Sequence, residues 1–205
     1  MSAMTIAMLV EAVTGIATIS REVTGLIGQI QSRRKVPEAE LQPIREQVEN
    51  LQQSTRSIGR LAHTLNEYIN TYLVLVPIKS SCDLLRVYVR ENLPSLRKKR
   101  DDEGAWSVVF YMFSNVSSIA DSGYERVLRN PSGLLDRDDL NTMEPRIQNF
   151  NETRNRAGEC IRSKLSGERL LDHVERMNDE SQKILSVLQG RIDGILHELT
   201  PLQFQ

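Results

Sequence analysis

The sequence predicts an all-α fold, an elongated helical bundle of four to six helices with a long heptad-patterned helix in the middle. Three observations carry this. Apolar residues recur at 3,4 spacing through most of the chain, the period of one helix face. No segment alternates apolar and polar residues between turn dipeptides, so nothing reads as strand. Aromatic residues are only 5% of the chain and Gly only 11 of 205, while Leu, Ile, Val, Arg and Glu are plentiful, a composition that leans to helix. That length suits a single domain, assigned to residues 1–200 with 201–205 as a tail.

The first helix is expected from about Ala3 to Gln31. Ile6, Leu9, Val13, Ile16, Val23, Ile27 and Ile30 draw one apolar seam, broken only at Ser20. Its other face is unusual: between Ala3 and Ile19 the only charge is Glu11, among Ala, Thr, Gly and Met. Arg33, Arg34 and Lys35 followed by Pro37 make a stop, because cations complement the helix dipole and proline cannot continue the hydrogen bonding. The second and longest helix follows a stripe through Ile44, Val48, Leu51, Thr55, Ile58, Ala62, Leu65, Ile69, Tyr72 and Val76, widened by Leu61, Tyr68, Leu73 and Leu75. Pro43 is expected in its first turn. Pro77 interrupts, yet Ile78, Cys82, Leu85 and Val89 resume the pattern, which favours a kinked helix over a short connection up to Pro94.

Residues 94–105 read as a loop carrying Arg97, Lys98, Lys99 and Arg100, then Asp101, Asp102 and Glu103. A third helix is expected from about Ala105 to Leu128, with Trp106, Val109, Phe113, Val116 and Ala120 on one face. Holding the only Trp and two of the four Phe, it should be the best-buried element, with Gly123 bending or ending it early. A polar loop from about Arg129 to Asp139 follows. The stretch from Thr142 to Leu199 then forms one helix or two, broken or kinked at Ser166 and Gly167 and closed by Pro201.

The chain holds few recognisable catalytic patterns. There is no GxxxxGK[ST] or GxGxxG phosphate loop and no HExxH. No Glu stands three residues before His63, His173 or His197, so a di-iron ExxH pair cannot be built. Each histidine reads as a surface or boundary side chain, His173 on a charged face with Asp172 and Glu175. Cys82 and Cys160 lack metal spacing and read as small core residues. The expectation is no catalytic residue, no cofactor, no metal and no small-molecule substrate. Net charge of −1 argues against bulk binding to nucleic acid. Residues 1–20 lack the Lys or Arg of a secretory n-region, and the apolar runs are too short for a conventional transmembrane helix. A reducing, cytoplasmic setting is expected, with membrane association on activation. Gly190 and Gly194 make a GxxxG spacing, but Arg191 and Asp193 inside it exclude a membrane dimer seam.

Two constellations bear on function. Ile6, Leu9, Val13 and Ile16 of the first helix could stay inside a soluble bundle, whose small residues permit close packing, or leave it for a membrane or an assembly. The basic residues Arg33, Arg34, Lys35, Arg97, Lys98, Lys99 and Arg100 could meet anionic lipid, each worth on the order of 1 kcal/mol, or form solubilising loops.

A small-residue-rich amphipathic N-terminal helix, a polar turn, and the long helix "LQPIREQVENLQQSTRSIGRLAHTL" followed by further helices resemble the HeLo and HeLo-like domains. These are membrane-permeabilising helical bundles of fungal cell-death proteins, similar in architecture to the bundle of the mixed-lineage kinase-like pseudokinase. The likeness is one of layout and carries no individual site residue. It implies a role in cell death or immunity for a bundle held inactive until its N-terminal helix is released, with basic side chains on lipid phosphates. The partners implied are a second copy of the chain, another helical protein or an anionic membrane surface. The alternative is a soluble adaptor that binds a protein through its heptad helices.

Overall fold

The protein is an all-α helical bundle. The structure, a computed structural model, describes residues 15, 18–19, 21–29, 38–97, 103–164 and 166–199, and no described residue lies in a strand. The helices are α1 (residues 21–29, with 15, 18 and 19 also helical), α2 (Glu38–Glu91), α3 (Leu93–Arg97), α4 (Glu103–Arg129), α5 (Arg137–Ser163) and α6 (Gly167–Leu199). The chain divides into two compact units. The cuts fall between Asn66 and Glu67 and between Asp193 and Gly194, so α2 and α6 each contribute to both.

In the unit that holds α1, the buried residues include Ile27, Leu41, Thr55, Ala62, Leu65, Ile195 and Leu199. Thr55 satisfies its hydroxyl within α2 by donating to the Leu51 carbonyl at 2.7 Å.

The other unit is an up-and-down arrangement of four helical segments around one core, in which α2, α4, α5 and α6 run alternately. Gly123 of α4 lets α2 approach: an added Cβ would stand 3.0 Å from Ile78 Cδ1 and 3.2 Å from Leu75 Cδ2. Between α4 and α5, Arg154 pairs with Asp121 at 2.5 Å, and the rings of Tyr124 and Phe150 meet edge to face, 5.0 Å apart at 74°. Arg146 of α5 reaches Glu180 of α6 at 3.6 Å, and Arg90 of α2 pairs with Glu175 at 2.5 Å, closing the ring of helices. The core is mostly aliphatic, with a buried polar point where the Tyr124 hydroxyl lies 3.2 Å from that of Ser181, which itself donates to the Met177 carbonyl.

Several boundaries differ from the sequence expectation. The α2 helix begins at Glu38, which puts Pro43 in the second turn, and it continues through Pro77 to Glu91. Pro77 is tolerated because it lies on an exposed face with Leu73, whose carbonyl it leaves without an amide donor but open to water. Residues 94–97, expected in a loop, are helical, with Pro94 in the first turn of α3, where its missing N–H is harmless. Gly123 neither bends nor ends α4, because it is a packing residue. Asn130 ends α4 instead: its φ is 40°, and its side-chain amide donates to the Leu135 carbonyl while its Oδ1 accepts from the Leu135 N–H. Residues 142–199 are two helices. Lys164, at φ 47° and ψ 41°, caps α5 with its N–H on the carbonyls of Cys160 and Ile161.

Candidate functional site

The α1 helix buries one side and leaves another in water. Ile27 is 6% exposed and Val23 half-buried, as the seam predicts. The Gln52 side-chain amide on α2 donates to the Thr24 hydroxyl at 3.2 Å. Between the two helices lies a cleft of about 260 Å³ lined by Thr24, Ile27, Gly28, Arg45, Val48, Glu49 and Gln52. Beside the buried seam, Ile19 is 60% and Leu26 55% exposed. Seven residues apart, they sit on one face of the helix. Around Gly15, Gly25 and Gly28, nothing among the described residues stands within 4 Å of an added Cβ. Ile44 and Leu51 on α2, expected inside the stripe, are exposed as well.

Most residues that the sequence nominated fall elsewhere. Ile6, Leu9, Val13, Ile16, Arg33, Arg34, Lys35, Lys98, Lys99 and Arg100 lie outside the described residues. Arg97 ends α3, and its side chain is not described. Its neighbour Leu96 packs on the first residue of α6, where an added Cβ on Gly167 would meet Leu96 Cβ at 2.8 Å.

A second surface escaped the sequence reading. The α4 helix buries Trp106, Val109, Val116 and Ala120, but Phe110 is 57% and Tyr111 77% exposed, and Phe113 is only half-buried. It is thus not a uniformly buried element. Phe110, Phe113 and Ile161 form the apolar walls of a groove of about 280 Å³ between α4 and α5, floored by Ser114, Ser117 and Gly158 and edged by Arg162. The clue was present in Phe110 and Tyr111, which lie off the face defined by Trp106, Val109 and Val116.

The titratable groups have defined surroundings. Burial pushes the Cys82 thiol up to about 12, outweighing the Ser181 hydroxyl beside it. Burial also raises Cys160, and Tyr124 more strongly. Tyr68 is raised to about 12 by burial and by its bond to Asp139. His173 is held below the usual imidazole range by burial, then by the charges of Arg176, Arg156 and Arg169, with Asp172 opposing them. It is half-buried, and its Nδ1 is shielded without a partner, so it is not the solvated, carboxylate-paired histidine that the sequence suggested.

Among the described residues, no group of three or more His, Cys, Asp and Glu is placed to hold a metal ion, and no helix is long and apolar enough to cross a membrane. No protein-family model, curated protein or solved structure matches the chain.

Proposed function

We propose that this chain is a non-enzymatic effector module that acts by association, assembling with itself or binding an anionic membrane surface through its N-terminal amphipathic helix. The resemblance of the sequence layout to HeLo-like domains points the same way and suggests a cytoplasmic protein that meets membrane when activated. The observation that carries the reading is the uncovered face of α1, where Ile19 and Leu26 are exposed beside glycines with open space around them. Exposed apolar side chains on an amphipathic helix gain free energy by entering a headgroup boundary or a second apolar surface, about 25 cal/mol per Å² removed from water.

The test is dye release from anionic and neutral liposomes, with the fold followed by circular dichroism. Release by the intact chain that needs anionic lipid, and that is lost without residues 1–20 or with Leu26→Glu, is the expected result. A folded protein that neither releases dye nor self-associates overturns the reading.

The groove between α4 and α5 favours a second reading, an adaptor that seats a partner helix against Phe110 and Phe113. In that case Phe110→Glu abolishes partner capture, while removal of residues 1–20 leaves capture intact.

A further inference from the structure

Six arginines in the four-helix unit have carboxylate partners: Arg86, Arg90, Arg129, Arg146, Arg154 and Arg191 all form ion pairs. Arg126, Arg137 and Arg162 form none among the described residues, and neither do the three that act on His173: Arg156, Arg169 and Arg176. The positions of these last three are not scattered. Arg169, His173 and Arg176 occupy i, i+4 and i+7 of α6, one face over two turns, or about 10 Å of axis. The antiparallel pairing of α5 with α6 is registered by Arg146 on Glu180, and ten residues further along α5 this brings Arg156 level with residue 170 of α6. Arg156 therefore faces the same patch from the neighbouring helix. The one opposing charge on His173 is Asp172, and Glu180, a turn beyond Arg176, is already engaged by Arg146 and Lys183.

Three guanidinium groups without ion-pair partners thus lie around one imidazole, with Asp172 the carboxylate that acts on it, and the patch is left with an excess of positive charge. We propose that Arg156, Arg169, Arg176 and His173 form a binding site for a phosphate monoester. The chemistry fits the ligand: a guanidinium offers paired N–H donors that match two phosphate oxygens, and a dianion balances more than one of the three cations. His173 is the pH-sensitive member. The groups that face it are Arg156 from α5 and Arg169, Asp172 and Arg176 from its own helix. A bound dianion reverses the cationic repulsion and favours the imidazolium, so binding takes up a proton and strengthens on acidification. This site is separate from the α1 face and does not depend on the membrane reading.

The same chemistry exists on a free phosphate and on a monoester lipid headgroup, and the experiment separates them. Calorimetric titration of the whole chain with inorganic phosphate is run beside sedimentation with phosphatidic-acid vesicles, using phosphatidylcholine vesicles as blank. Saturable binding is expected, at least 10-fold weaker in the double variant Arg156→Gln, Arg176→Gln, with the His173 ring titrating at higher pH by NMR when phosphate is present. Binding to phosphate alone assigns a soluble ligand, and binding to the vesicles with the same arginine dependence assigns a headgroup. The proposal fails if neither probe binds saturably. It also fails if Arg126→Gln, which removes an exposed charge from α4, weakens binding as much as the double variant while circular dichroism shows both variants folded.

Discussion

The hydroxyl of Tyr68 on α2 donates its proton to the carboxylate of Asp139 in the first turn of α5. The same oxygen accepts the backbone N–H of Asp136 at 2.8 Å, and Asp136 in turn caps α5 by accepting from the Asp138 N–H at 2.8 Å. Arg191 of α6 joins from the other side, 3.1 Å from Asp136 and 3.7 Å from Asp139. One phenol thus ties α2 to the start of α5, at the place where a helix has amide protons to spare.

Tyr68→Phe is expected to cost about 1–3 kcal/mol, because it leaves the Asp136 N–H and the Asp139 carboxylate short of a partner. Urea denaturation at neutral pH measures it. The folded-state pKa of Tyr68 lies above its ordinary value of 10.0, at about 12. The associated stability is therefore complete below pH 10 and lost as pH rises toward 12, and the Tyr68→Phe variant should lack that alkaline component.

His173 predicts the opposite limb. Its folded-state pKa is depressed, so the unfolded chain takes up the proton first. Stability should be complete above the ordinary imidazole pKa and decline as pH falls through it toward the lower folded value. A His173→Gln variant should show a shallower acid limb in denaturation midpoints measured against pH.

Two glycine substitutions should move stability in opposite directions. At Gly167 a methyl group would meet Leu96 Cβ at 2.8 Å, an atom that cannot swing aside, so Gly167→Ala should cost about 1–3 kcal/mol. At Gly190 nothing stands within 4 Å in the interior of α6, and Gly190→Ala should gain about 0.5–1 kcal/mol from backbone entropy and helix propensity. Paired thermal melts decide both.

Cys82 is fully buried and its thiol is pushed up to about 12, while Cys160 is also buried. Neither thiolate is populated or accessible in the native state at neutral pH. A disulfide-exchange reagent should modify both only at the rate of unfolding, and rapid native labelling of either would contradict the core placement.

Periodicity made the helices legible, but not the phase of the longest one. Extending the 3,4 alternation from Ile44 nominates Ile69, Tyr72 and Val76, whereas the structure buries Tyr68, Thr71 and Leu75 and leaves the nominated three half-buried. The reason is geometric. From Ala62 the buried residues step by three, to Leu65, Tyr68 and Thr71, and three residues turn a helix by only about 300°, so the face toward the core winds around the helix there. The buried stripe thus runs one position earlier than the alternation extended from Ile44 predicts, and Ile44 and Leu51 at the other end are exposed. Trp106, Val109 and Val116 on the shorter α4 suffered no such drift. The arginines around His173 were illegible for another reason: Arg156 belongs to a different helix, and only the register of α5 on α6 brings it level with His173.

Pro77 gives α2 a property that neither burial nor charge describes. Leu73 has no amide proton to receive four residues on, so the ladder of backbone hydrogen bonds lacks one rung midway along the portion of α2 in the four-helix unit. Hydrogen-exchange protection along this helix should dip around residues 73–77 and recover on either side. A helix that is unbroken in outline is two stretches in its opening kinetics, with water as the natural occupant of the gap.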